Sequence, residues 1–152
     1  MVVALGPVCL DRTSWPAGPP VAEGFGDVAM LTRGIRGATT VKANTREAIL
    51  EATTELLTAV MEANGIDVQD VASAFFTSSR DLNAEFPALA ARQIGWTNVA
   101  LLCGHEMDVP GALPRCLRIL LHVNTEKKAS EIVHVYLHGA RVLRPEFQGR
   151  SD

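Results

Sequence analysis

Ile49, Ala52, Leu56, Val60 and Ala63 recur at helical spacing between the polar Asn44 and Gly65, and no other part of the chain sustains such a period. Asn44 with Glu47 three residues on reads as a capping box, and Gly65 supplies the left-handed stop. The longest helix is therefore fixed, and it needs an apolar surface to cover. Short runs of extended character supply one: 31–41, 71–77, 99–103 and 117–123, with a last strand or strand pair over 132–143. Residues 78–83 read as a loop, and Pro87 suits the first turn of a second helix ending at Ile94 before Gly95. Strands mixed with two main helices on one side, and a hairpin-like end, predict an α+β protein with a mixed sheet.

The strand over 117–123 carries the first hint of chemistry. Alternation places Leu117, Ile119, Leu121 and Val123 on one face and Arg118, Leu120 and His122 on the other. Within so apolar a run an unpaired guanidinium would cost several kcal/mol, so an anionic group should face Arg118. Arg36, at or within the first strand, and Arg92 and Arg144 each read, taken alone, as surface residues, although converging arginines can grip carboxylates with paired hydrogen bonds. A pocket built of such groups suits a small polyanion.

Composition narrows the field. At 152 residues and 47% hydrophobic, the chain can fold as one domain without staples. A net charge of -3 and a pI near 5.8, with no basic run, exclude a nucleic-acid or acidic-membrane partner. Cys9, Cys103 and Cys116 are odd in number and lack CxxC spacing, which points away from disulfides and zinc and toward the reducing cytoplasm. Residues 1–29, dense in Pro and Gly, read as a disordered or loosely attached leader. Met30 is an alternative start, and a signal peptide is rejected because no basic n-region precedes the apolar opening. Gly24-Phe-Gly26 completes no dinucleotide fingerprint. Residues 30–146 then form the domain and 147–152 a flexible tail.

The familiar catalytic motifs fail one by one. His105-Glu106 lacks the second His of HExxH, since Val109 stands there. His134 and His138 lie in an extended segment and read as sheet-face histidines, with Tyr136 on the same face, rather than as metal ligands. Ser78 and Ser79 have no nucleophile-elbow context, and Cys103 reads as a small buried thiol. Phe86 and Trp96 read as core anchors, and Tyr136 as a core or interface residue.

Seven motifs in order do match a family. Arg33-Gly-Ile-Arg-Gly-Ala-Thr-Thr40, Phe86-Pro-Ala-x-Ala-x-Arg92, Gly95-Trp96, Cys103-x-x-Glu-Met-Asp-Val109, Cys116-x-Arg118, His134-Val-Tyr-Leu137 and Val142-Leu-Arg-Pro145 together resemble the monofunctional trimeric, mixed α/β class of chorismate mutase. The resemblance spans about residues 30–146 in one register, with a single residue fewer just before Gly95.

The resemblance implies a homotrimer around a β-rich core, active sites between subunits, and conversion of chorismate to prephenate without any cofactor or metal. By motif position Arg118 would hold the ether oxygen and a carboxylate, Arg36 a substrate carboxylate, and Glu106 with Cys103 the ring hydroxyl, while Tyr136 would contact the enolpyruvyl carboxylate. Phe86, Ala88, Arg92, Leu143 and Arg144 would line or close the mouth from the adjacent chain. Leu89 and Leu102 depart from the Lys and Thr of other members, and the tail after Pro145 is short for a lid. Two rivals remain: a trimeric imine or enamine deaminase-like protein, and a noncatalytic binder of an aromatic-pathway acid.

Overall fold

Among the described residues, five strands form one sheet in the order β3-β2-β4-β1-β5, with β1 (Leu31–Thr40), β2 (Val71–Ser78), β3 (Ala100–His105), β4 (Cys116–Thr125) and β5 (Val135–Tyr136). The computed structural model describes residues 30–145; the leader 1–29, Glu146 and the tail 147–152 lie outside the described residues. β4 is antiparallel to both β1 and β2, whereas β2 with β3 and β1 with β5 run parallel, so the sheet is mixed. Two helices, α1 (Arg46–Asn64) and α2 (Ala88–Gln93), complete an α+β architecture. No helix among the described residues is long and apolar enough to cross a membrane.

The core lies between α1 and one sheet face. Leu56, Leu57 and Val60 meet Ile35, Phe76, Leu117, Ile119 and Leu121, all at most 3% exposed. Burying each such side chain contributes about 1.5–3 kcal/mol, so this layer is the main source of stability. Gly37 lets helix and sheet approach, because a Cβ there would stand 2.9 Å from Ile119 Cγ1 and 3.1 Å from Val60 Cγ2. As expected, Gly65 is left-handed at φ 58° and ends α1.

Several expectations are corrected. The N-cap of α1 is Thr45, whose hydroxyl accepts from the Ala48 amide at 3.3 Å. Asn44 is occupied elsewhere: its Oδ1 accepts from the amides of Asn83 and Ala84, both at 3.0 Å, and ties the helix entrance to the loop before α2. The apolar stripe also ends earlier than the spacing suggests. Ala63 is exposed, and Asn64 is buried in its place, donating to Val60 O and Val133 O and accepting from the Val133 amide.

β3 runs on to His105 because Thr77 and Ser78 of β2 pair with Gly104 and His105. Among the described residues, the expected hairpin-like end over 132–143 does not form. Only Val135 and Tyr136 pair, parallel to Gly37 and Ala38, and a 3-10 turn follows over His138–Leu143. His138 stops the strand at φ 48° and turns its ring to α1, where Nε2 lies 2.9 Å from Glu55 Oε1. It therefore does not share a sheet face with His134 and Tyr136.

Candidate active site

Strand alternation decides where Arg118 points. Leu117, Ile119, Leu121 and Val123 of β4 are 0–3% exposed beneath α1, so Arg118 is directed to the opposite face of the sheet. The strand register sets Thr77 of β2, Arg118 of β4, Ala38 of β1 and Tyr136 of β5 in one row across that face. Arg36, paired with Leu120, stands in the neighbouring row. Here the sheet forms a cleft of about 480 Å3 whose lining includes Arg36, Thr77, Arg118, Tyr136, Leu143 and Arg144.

Glu106 is the anionic group that the apolar setting of Arg118 called for. It directly follows β3, and its amide donates to Ser78 O at 2.9 Å, extending the pairing by one step. Its Oε2 lies 3.4 Å from Arg118 Nη1, while its Oε1 accepts from the Thr77 hydroxyl. Both charged side chains are partly exposed, so both can be reached from solvent. A second hollow of about 530 Å3, between the 79–81 loop and residues 106–114, is lined by Glu106 and again by Arg118.

Arg118 keeps unused donor capacity. Its Nε is buried and has no hydrogen-bond partner among the described residues, a cost that an incoming anion would relieve. Burial pushes its pKa down, but hydrogen bonding and attraction to Cys116, with Glu106 and Tyr136 nearby, outweigh that and raise it overall. The guanidinium is thus charged whenever the protein is folded. Burial in turn pushes the Cys116 thiol up, against the pull of Arg118, so a neutral thiol stands two residues from Arg118 on the same strand face.

Arg36 is held from the side of β5. His134 Nδ1 accepts from the Arg36 amide at 3.1 Å, and burial, with the Arg36 charge, pushes the His134 pKa down. A neutral ring is the form able to accept that bond.

Phe86, Ala88, Arg92 and Cys103 gather elsewhere in the protomer. Cys103 of β3 lies against the Ala88 backbone and near Arg92 of α2; burial raises its thiol pKa, and those two neighbours oppose the shift. Cys103 and Phe86 line a separate pocket of about 330 Å3. Phe86 is not a core anchor: it is 69% exposed at the start of α2, whereas Trp96 at 3% is one. Leu143 and Arg144, expected from an adjacent chain, instead line the same protomer's cleft with Arg36, Arg118 and Tyr136.

Two contributors were given no part in the site from the sequence, Thr77 passing as a strand residue and His134 as a sheet-face histidine. Thr77 and His134 act through partners 29 and 98 residues away, so their roles become visible only with the strand register. The one available signal for Thr77 was its polarity beside Phe75 and Phe76.

Comparison with known proteins accords with this geometry. The family described as chorismate mutase type I matches residues 32–147. Chorismate mutase AroH of Thermus thermophilus is 49% identical over 119 residues, spanning 78% of this chain and 98% of that protein. Chorismate mutase AroH of Bacillus subtilis (strain 168) is 44% identical over 118 residues, spanning 77% and 93%. A solved chorismate mutase from Clostridium thermocellum superposes with a TM-score of 0.72 at 51% identity, covering 72% of this chain and 98% of that one. On sequence and fold together, the chain belongs to the chorismate mutase type I family.

Proposed function

We propose that the cleft on the helix-free face of the sheet is where chorismate is held in a bent form and rearranged to prephenate, the isomerase step leading to phenylalanine and tyrosine. The observation that carries this reading is Arg118 beside Glu106, a charged guanidinium with a spare buried donor, in one cleft with Arg36. A Claisen rearrangement moves no proton and forms no bond to protein. What it needs is positioning and charge.

Arg36 grips one substrate carboxylate, and Tyr136 contacts the enolpyruvyl carboxylate, so the side chain is folded over the ring. Holding such a near-attack conformer can lower a barrier by up to about 7–11 kcal/mol. As the carbon-oxygen bond breaks, negative charge grows on the ether oxygen and positive character on the ring. Arg118 donates to that oxygen, a contribution commonly worth about 2.7–4 kcal/mol, and Glu106 balances the ring and meets its hydroxyl. Leu143 and Arg144 cover the mouth.

The active assembly in this reading is a homotrimer. Two features support it: Phe86, Ala88, Arg92 and Cys103 form a group apart from the Arg118 cleft, and Leu102, Phe75 and Leu120 are cross-strand neighbours on the helix-free face at 59%, 39% and 37% exposure. Docking that face on neighbouring copies would cover those side chains and bring the Phe86 group of one protomer to the Arg118 cleft of the next. Sedimentation at micromolar concentration tests this, and a monomer would remove the shared site. The cytoplasm is the compartment that suits the unpaired thiols of Cys103 and Cys116.

The direct test follows the ultraviolet absorbance of chorismate with purified protein, and confirms prephenate by acid conversion to phenylpyruvate. Loss of chorismate far above the uncatalysed rate is expected, and its absence would leave a noncatalytic binder. Family membership goes against the deaminase-like alternative. The domain in this reading is 30–146, so protein lacking residues 1–29 should turn over chorismate like the full chain.

A further inference from the structure

β5 is only two residues long, and its pairing with β1 begins at Val135 opposite Gly37. The amide of Arg36 lies one residue before that first pair. It is taken by a side chain, with His134 Nδ1 accepting at 3.1 Å. From the same short strand, Tyr136 pairs with Ala38 and enters the cleft with Arg36 and Arg118. One imidazole thus clips together the backbone under Arg36 and the strand that carries Tyr136.

We infer that His134 is a positioning residue for substrate binding, whose neutral ring fixes the backbone of Arg36 and the start of β5 so that Arg36 and Tyr136 hold their places in the cleft. The inference rests on the assignment of that cleft as the chorismate site. His134 touches no reacting atom in it. It acts through the Arg36 amide.

Protonation is incompatible with this role. A proton on Nδ1 removes the acceptor and sets a positive ring beside the Arg36 guanidinium, the charged group on β1 that already works against it. On its other side the segment is tied by Asn64, at the end of α1, which bonds Val133 at both amide and carbonyl and carries no charge to offset the proton. Tyr136 stands two residues further on, in the row with Ala38 and Arg118. The clip therefore opens on the acid side of the ordinary imidazole range. Because burial and Arg36 both oppose the charged ring, opening waits for more acid than an exposed histidine would need.

Two variants separate the possibilities. His134→Asn keeps an acceptor that cannot be protonated; His134→Ala removes it. In steady-state assays with chorismate at neutral pH, His134→Ala is expected to raise KM about three- to tenfold, the range for one hydrogen bond, with kcat changed much less. His134→Asn should stay within about twofold of wild type at neutral pH. As pH falls through the acid range, KM of the wild type should rise while that of His134→Asn stays flatter.

A wild type inactive on chorismate would sink the assignment of the site itself. An active wild type whose acid-side KM profile is matched by His134→Asn would overturn the role of His134 alone. So would a folded His134→Ala with unchanged KM. If His134→Ala does not fold, the pH comparison between wild type and His134→Asn decides the matter.

Discussion

Glu106 and Arg118 meet with Oε2 3.4 Å from Nη1, and the Thr77 hydroxyl holds the other carboxylate oxygen. The carboxylate is fixed by a neutral donor on one side and shared with the guanidinium on the other. That leaves Arg118 only loosely engaged, so it can turn donors to a substrate without abandoning a tight ion pair.

Replacing Arg118 with Lys should reduce kcat by about two to three orders of magnitude, as is typical when a preorganised donor at a developing charge is lost. Lysine offers a point charge without the planar fork. Circular dichroism should be unchanged, because Arg118 lies on the face away from α1. Turnover close to wild type would remove Arg118 from its place at the ether oxygen.

Thr77→Val keeps the shape of the side chain and deletes its hydroxyl. Glu106 would lose the donor at Oε1 and drift toward Arg118. We expect kcat to fall about three- to tenfold, in line with one charge-assisted hydrogen bond, with KM little affected. A change confined to KM would mean that Thr77 meets the substrate rather than Glu106.

Gly37→Ala tests the contact between α1 and the sheet. The added methyl would stand 2.9 Å from Ile119 and 3.1 Å from Val60, both tightly packed. Overpacking of this kind costs about 1–3 kcal/mol, measurable as a lower denaturant midpoint. Since Gly37 follows Arg36 directly, KM should rise as well.

Asp81 accepts from the Ser79 hydroxyl and, at 2.8 Å, from the Arg115 amide, and Ser79 Oγ accepts from Cys116 N at 2.9 Å. This small network anchors the start of β4, two residues before Arg118. The Ser79 hydrogen bond, more than the slight burial that opposes it, holds the Asp81 carboxyl below its ordinary value of 3.8. A lowered folded-state pKa adds stability above the ordinary value, and that stability disappears as pH falls through the folded value. Asp81→Asn should thus destabilise at neutral pH, by less than about 1 kcal/mol because solvent screens so exposed a group, and the difference should vanish in strong acid. Equal midpoints at neutral pH would contradict it.

Much of this could be read from residue order alone, for definite reasons. The period of Ile49, Ala52, Leu56 and Val60 and the alternation of 117–123 are local patterns, and they fixed α1 and the outward direction of Arg118. Arg36, Glu106 and Arg118 were recognisable because they sit in motifs, and one charge in an apolar run demanded another. What stayed hidden depends on distant partners. Asn44 gave up the cap to Thr45 because residues 83 and 84 compete for its side chain. Residues 132–143 form no hairpin, and His138 turns instead to Glu55 on α1, a partner 83 residues away. Phe86 looked like a core residue since hydrophobicity does not say which side of a helix start meets solvent.

The pairing of β1 with β4 has a consequence for how the protein is made. Leu31 lies opposite Thr125 and Thr40 opposite Cys116, so the central strand β4 pairs with a strand from the far, amino-terminal side of the described residues. A ribosome must release nearly all of them before the strand bearing Arg36 can find its neighbour. Until then α1 has only part of the sheet to cover, and folding begins late, with closure of a long loop as its slow step.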